Sequence, residues 1–299
     1  MQLSQKNISN KFANYGKFIE PIDYNTNLND IDRNIIISDF IENGVLIFDG
    51  FRIDSTNLVR FTDKFTSKYA VDAPRREKRF DNKKVNNVDS GYDEIKLHSE
   101  ASYTTAWPEI IWFYCKEAAI KGAQTTLCDG IKLWSELSKE TRKFFLSNPV
   151  VYKISIPIRK KIKNKTGKQD WYIEDIGVRN SLIDWNAGEL NMDIIKFAVH
   201  KSRISKKLSF SNHLILDLKS EPQIKSIKLY NGEDIPLEIL IEVREKAEEL
   251  TYEINWNNNQ LAMIDNKRFL HGRRSIDKDT KRDIVNIQTF EANFPYGVS

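Results

Sequence analysis

The run Ile110-Ile111-Trp112-Phe113-Tyr114-Cys115 is apolar or aromatic throughout, with Pro108 before it and Lys116-Glu117 after it. So short a run, rich in β-branched and aromatic side chains, predicts a strand buried on both faces. Similar runs recur outward from it. Val45 to Phe48, Thr125 to Cys128, Val150 to Pro157 and Ile284 to Phe290 predict further strands, and Ile95 to Glu100 a short strand or strand end. Asn257-Asn258-Asn259 separates two more, Tyr252 to Trp256 and Gln260 to Asp265, in the pattern of a hairpin. Helical spacing runs over 28–42 (Ile31, Ile35, Ile36 and Phe40, closed by Gly44) and over Ser55 to Tyr69 behind a Ser55 cap. It returns from Asp129 to Leu137, from Ser138 to before Pro149, and from Pro236 to Leu250. Strands and helices do not alternate regularly, which argues against a doubly wound parallel sheet. The expected class is mainly β with flanking helices: a double-stranded β-helix, the jelly roll of cupin-like proteins.

Composition narrows the function classes. The chain has 299 residues, 40% hydrophobic and 29% charged, with only 12 Gly and 8 Pro. That balance supports a sizeable core and excludes collagenous or low-complexity chains. No repeat or Gly/Ser/Pro linker divides it, so one domain over 1–299 is expected. The net charge of +4 is too weak a bias to argue for nucleic acid. Met1 to Lys17 holds no apolar core of signal-peptide length and no stretch approaches a membrane span. The expected compartment is the cytoplasm, with no membrane association and reduced thiols. Cys115 and Cys128, the two cysteines, fall in predicted strands and read as core. They cannot make a disulfide framework or a four-cysteine zinc site. Imidazole chemistry is therefore confined to His98, His200, His213 and His271.

Leu97-His98-Ser99-Glu100 is the informative piece. In a strand, residues two apart share a face, so His98 and Glu100 would project together as a nitrogen–oxygen pair. Far along the chain, Asp265-Asn-Lys-Arg-Phe-Leu-His271-Gly-Arg-Arg supplies a second imidazole. Two histidines and one carboxylate form the facial triad that holds non-haem Fe(II) and leaves positions open for oxygen activation. Arg282, at the mouth of the last predicted strand, offers a permanently charged fork suited to the far carboxylate of a keto-diacid.

With these pieces in place, the chain resembles the Fe(II)/2-oxoglutarate-dependent dioxygenases of the TauD/TfdA (taurine dioxygenase-like) type. It is nearest the branch of syringomycin-type aspartyl hydroxylases, with clavaminate synthase further away. The resemblance starts at Gly44-Val-Leu-Ile-Phe-Asp-Gly50. It is densest at Leu97 to Tyr103, Trp107 to Cys115 and Gly122 to Asp129, and returns at Asp265 to Arg274. It implies that His98, Glu100 and His271 are the iron ligands and that Thr125 contacts the co-substrate carboxylate near the metal. Arg282 would anchor the distal carboxylate, with Arg273 or Arg274 as alternatives. Taurine dioxygenase carries a sulfonate-binding arginine where this chain has Asn286, which argues against an alkylsulfonate substrate. In a strand Asn286 would share a face with Arg282 and look into the same pocket.

The implied chemistry couples oxidative decarboxylation of 2-oxoglutarate by O2 to attack on an unactivated carbon. Related halogenases replace the carboxylate ligand with a small residue, so Glu100 favours hydroxylation, with desaturation or cyclisation as variants. Phe210-Ser-Asn-His213 resembles a segment bordering the substrate pocket. Asn212, Ser102 and Tyr103 are the pocket candidates beside Asn286, and His213 is either a pocket residue or a packed one. Trp107, Trp112 and Phe113 read as core and His200 as a surface residue. Residues 73–96 and 157–210 are expected lid or insert segments. Two basic stretches, 75–84 and 159–168, are either solvated loops or a dock for an acidic carrier-protein domain bearing a tethered amino acid. The expected substrate is an amino acid or amino-acid-derived natural-product intermediate. Oligomeric state is left open. The competing classes are a mononuclear metal enzyme on a cupin-like scaffold without a keto acid, for which Thr125 and Arg282 would be superfluous, and a silent binding module.

Overall fold

The Ile110–Cys115 run sits inside a sheet with strands bonded on both sides, in a computed structural model of the chain. The structure describes residues 3–7, 16–23, 26–70, 78–80, 82–88, 91–157, 178–184, 189–278 and 280–294. The described strands are β1 (Leu3–Asn7), β2 (Lys17–Pro21), β3 (Val45–Phe48), β4 (Thr66–Tyr69), β5 (Lys78–Arg79), β6 (Asn82–Asn87), β7 (Ile95–His98), β8 (Ile110–Glu117), β9 (Thr125–Asp129) and β10 (Val150–Pro157). They continue with β11 (Val178–Asp184), β12 (Glu189–Lys196), β13 (His200–Lys201), β14 (Leu208–Ser209), β15 (Ile224–Leu229), β16 (Tyr252–Ile254), β17 (Gln260–Asp265), β18 (Phe269–Arg273) and β19 (Asp283–Ala292). The described α-helices are α1 (Arg33–Asn43), α2 (Ser55–Asp63), α3 (Gly130–Glu136), α4 (Lys139–Ser147) and α5 (Leu237–Glu249).

Two sheets face each other. The larger has the order β1-β2-β3-β17-β8-β19-β6-β5, with β4 beside β19, and the smaller β16-β9-β18-β7. Ile111, Phe113 and Cys115 from the larger sheet pack with Leu127, Ile254 and Phe269 from the smaller, closing the jelly roll around an apolar interior. The outer face of the larger sheet is covered by α1 and α2, whose Ile36, Phe40, Leu58 and Phe61 share a core with Trp112 of β8. A second layer, Leu133, Phe145, Tyr152, Phe210 and Val243, packs on the back of the smaller sheet against Cys128 and Leu270. It includes a further sheet, β11-β12-β10-β15. Among the described residues no helix is long and apolar enough to cross a membrane.

The caps follow from sequence. Asp129 accepts from the Ile131 N–H ahead of α3, and Ser138 from the Thr141 N–H ahead of α4. Gly44 closes α1 in the left-handed conformation, φ 73°.

Several local expectations are corrected. The 28–42 helix begins only at Arg33, because Asp32 caps it and Leu28–Asp30 is a separate 3-10 turn. The expected Ser55 to Tyr69 helix stops at Asp63, and Thr66–Tyr69 is a strand on β19; Asp54, not Ser55, makes the cap through a reciprocal box with Asn57. Within the expected lid segment 73–96, Asn82–Asn87 forms β6, a strand of the larger sheet. The expected 252–265 hairpin does not exist. Tyr252–Ile254 pairs with β9 and Gln260–Asp265 with β3 and β8, so Asn257–Asn259 carries the chain from one sheet to the other. Of the expected insert segments, 73–77, 81, 89–90, 158–177 and 185–188 lie outside the described residues, as does the basic stretch 159–168.

Candidate active site

β7 and β18 run antiparallel with His98 directly opposite His271, which sets the two ring centroids 4.5 Å apart. The Nδ1 of His98 is 2.9 Å from the Lys96 carbonyl, a contact that fixes the ring and turns Nε2 toward its partners. Glu100 lies beyond the end of β7, in a turn whose next residue, Ala101, has φ 55°. The pairing of His98 with Glu100 therefore arises from that turn, not from strand alternation. Its carboxylate Oε2 is 3.7 Å from His98 Nε2 and 3.9 Å from His271 Nε2. One ligand atom from each of the three residues falls within 4.8 Å of the others. Two imidazole nitrogens and a carboxylate oxygen, converging from two buried histidines and a half-buried glutamate, suit a divalent first-row metal whose bonds are about 2 Å long.

Residues that sequence reasoning missed hold this turn. The buried Asn266 accepts the Glu100 N–H at 2.8 Å and donates to the Glu100 and Pro108 carbonyls at 3.1 and 2.8 Å. Ser99 donates to the Asn266 carbonyl at 2.6 Å and accepts from the Trp107 indole at 2.8 Å. Gln288, on β19, donates Nε2 to Glu100 Oε1 at 2.9 Å. The only sequence signal for Asn266 was its place beside Asp265 in the second motif.

Electrostatics separate the histidines. Burial opposes charge on His98, but the neighbouring Glu100 carboxylate outweighs it and holds the group above its ordinary value. His213 is pushed well down by burial, then by the positive potential of His98. It is a packed residue: its Nδ1 is 2.7 Å from the Ser102 hydroxyl, and its ring stacks edgewise on Tyr103 and His98. His200 is half-buried, not an exposed surface residue. It lies 4.5 Å from Trp107 with Nε2 2.7 Å from the Lys267 carbonyl, and burial lowers it to about 4.

On β9, two residues from the Leu127 that pairs with His271, the Thr125 hydroxyl accepts from the Trp256 indole at 2.9 Å. Trp256 also lines a cavity of about 340 Å³ with Gly122, Ala123, Gln124 and Arg282. The Arg282 charge reaches Cys115, opposing the burial that lifts that thiol to about 12. The alternative arginines are engaged elsewhere. Arg273 donates to the Gly91 and Asp93 carbonyls, and Arg274 to Glu94, Glu248 and Glu253. Thr125 and Arg282 are thus joined by one wall.

The substrate candidates divide. Tyr103 accepts from Gln223 at 2.6 Å and donates to Glu221 at 3.3 Å. Asn212 spends its carboxamide on the Ala198 carbonyl and the Leu214 N–H, at 2.8 and 2.9 Å, so it shapes a turn. Asn286, opposite Phe113, is 2% exposed, and its Oδ1 has no hydrogen-bond partner among the described residues. Trp112 and Phe113 are core, as are both cysteines.

The family model for taurine catabolism dioxygenase TauD, TfdA family, matches residues 13–288. The dapdiamide synthesis protein DdaC of Enterobacter agglomerans is 22% identical, over 79% of each chain. PvcB from Pseudomonas aeruginosa superposes with a TM-score of 0.65 at 13% identity, covering 97% of this chain and 93% of that one. A second PvcB structure is described as an Fe, alpha-ketoglutarate dependent oxygenase from an isonitrile synthetic pathway. AAD-2, in complex with Mn(II) and N-oxalylglycine, superposes with a TM-score of 0.62 at 15% identity, covering 99% of both chains.

Proposed function

The chain belongs to the TauD, TfdA family of dioxygenases, which use Fe(II) and 2-oxoglutarate, and on that footing we propose that it hydroxylates an amino acid or an amino-acid-derived natural-product intermediate. In the balanced reaction, substrate C–H, O2 and 2-oxoglutarate give substrate C–OH, succinate and carbon dioxide. Membership in this family sets aside a metal enzyme without a keto acid.

The observation that carries the reading is the convergence of the His98, Glu100 and His271 ligand atoms; on β9, Thr125 stands two residues from the partner of His271 and is bonded to Trp256, which lines a cavity with Arg282. In this reading His98, Glu100 and His271 hold Fe(II), which supplies the oxidative step when bound. Arg282 grips the distal carboxylate of 2-oxoglutarate. Thr125 donates its hydroxyl proton to the carboxylate nearer the metal. The indole N–H of Trp256 can only donate, so its bond to Thr125 leaves the threonine proton for another acceptor.

In this reading Asn286, two residues from Gln288 on β19, meets the substrate, with Ser102 and Tyr103 as further candidates. A buried carboxamide costs about 1–3 kcal/mol when unpaired. Asn286 is therefore retained for a substrate group that hydrogen-bonds without needing a cation, unlike a sulfonate. The pathway setting of DdaC and PvcB supports a natural-product substrate, and the basic stretch 75–84 supports delivery on an acidic carrier domain.

A screen of free and carrier-bound amino acids with Fe(II), 2-oxoglutarate and O2 tests the proposal. The expected result is one product heavier by one oxygen, with matching succinate. A product lighter by two hydrogens would replace hydroxylation with desaturation or cyclisation. No substrate-triggered succinate from any member would overturn the substrate class.

A further inference from the structure

We infer that Gln288 is a positioning residue for Glu100: it holds one carboxylate oxygen so that the side chain offers only the other to the metal. The inference rests on the reading of His98, Glu100 and His271 as the metal centre.

A glutamate has two equivalent oxygens on a chain one methylene longer than aspartate. Nothing in its chemistry selects one oxygen, and a carboxylate binds metals through one or both. Here the choice is made by surroundings. Asn266 pins the Glu100 backbone from both sides, which leaves the side-chain torsions as the remaining freedom. Gln288 Nε2 then takes Oε1 at 2.9 Å, while Oε2 is the atom 3.7 and 3.9 Å from the two imidazole nitrogens.

Gln288 is itself well fixed. It is 4% exposed in the interior of β19, paired with Ile111 of β8, and its carbonyl accepts the Ala70 N–H at 3.0 Å. A neutral amide suits the task. Lysine or arginine would compete with the metal for the carboxylate, and glutamate would repel it.

The count of open positions shows why this matters. Two imidazoles and one carboxylate oxygen leave three of six positions on an octahedral ion. A keto acid that chelates takes two. A second oxygen from Glu100 would take the last.

The test uses the full chain with Co(II) in place of Fe(II), free of oxygen. Metal uptake is followed by visible absorption, and 2-oxoglutarate is then titrated into the Co(II)-saturated protein. Gln288→Met keeps the shape without the donor, and Gln288→Glu keeps the shape with a repelling charge. Both are expected to bind Co(II) about tenfold or more weakly, the usual effect of losing such a partner. Both are also expected to show a Co(II) spectrum and a 2-oxoglutarate affinity different from the parent. A variant with parental folding whose spectrum is unchanged and whose two affinities lie within about twofold of the parent would overturn the inference; should Gln288→Met fail to fold, Gln288→Glu decides. A parent chain that takes up no Co(II) would instead overturn the metal-centre reading, and this inference with it.

Discussion

Trp256 donates to Thr125 and lines a cavity with Arg282, and the consequences differ for each of the two residues. Arg282→Ala removes a charged fork. It is expected to raise the 2-oxoglutarate requirement about tenfold or more, equivalent to about 1.4 kcal/mol, with little change in the substrate requirement. If only the substrate requirement moves, Arg282 belongs to the other side of the site. Trp256→Phe removes the donor to Thr125 and should weaken 2-oxoglutarate by about 3–10-fold, the worth of one hydrogen bond. Inhibition by N-oxalylglycine measures both effects independently of the substrate. Asp265 offers a pH test away from the ligands. Burial raises its carboxyl to about 7, although Arg268 opposes the shift, and the group accepts from the Lys267 N–H and the Ser202 hydroxyl. The folded state therefore binds more protons than the unfolded state between about pH 4 and 7, and Asp265 costs stability as pH rises through that window. Asp265→Asn should gain on the parent from pH 4 to pH 8, by up to about 4 kcal/mol, in denaturant melts at the two pH values. A gap between variant and parent that does not change with pH would contradict the assignment.

β18 joins the residues to the sheets. Gly272, next to His271, has no room for a methyl group: a Cβ there would lie 2.4 Å from the Ile95 carbonyl and 2.7 Å from the Thr126 hydroxyl. Backbone on one side cannot yield, so Gly272→Ala must push β7 from β18 and part His98 from His271. The expected cost is about 1–3 kcal/mol of stability together with weaker metal uptake, read by thermal melting and Co(II) titration. Normal uptake would show that the pair tolerates a wider gap. Much at this scale was legible. Buried runs such as Val45–Phe48 and Ile110–Cys115 announce strands, and Asp129 and Ser138 announce helix starts. The 252–265 hairpin was misread because turn residues say that the chain reverses, not which sheet receives it. Thr66–Tyr69 was misread because apolar spacing before it continued by chance past the true helix end at Asp63.

At the scale of the molecule, the jelly roll lets ligands separated by most of the chain meet, since β7 and β18 are neighbours in one sheet. The two histidines and Glu100 were legible because few residue types serve as ligands and the chain has few histidines to offer. Asn266, Gln288 and Trp256 were not, since one polar residue in a strand reveals nothing until the sheet across from it is known. Arg282 was the expected anchor with Arg273 or Arg274 as alternatives, and sequence could not show that those two are engaged by the Gly91 and Asp93 carbonyls and by Glu94, Glu248 and Glu253. Mixing metal-free protein with Fe(II) and 2-oxoglutarate, without oxygen, tests the central claim most directly. A keto acid chelated to Fe(II) on His98, Glu100 and His271 is expected to give a visible charge-transfer band that is absent in His271→Ala. No band in the parent chain, or an equal band in His271→Ala, would contradict it.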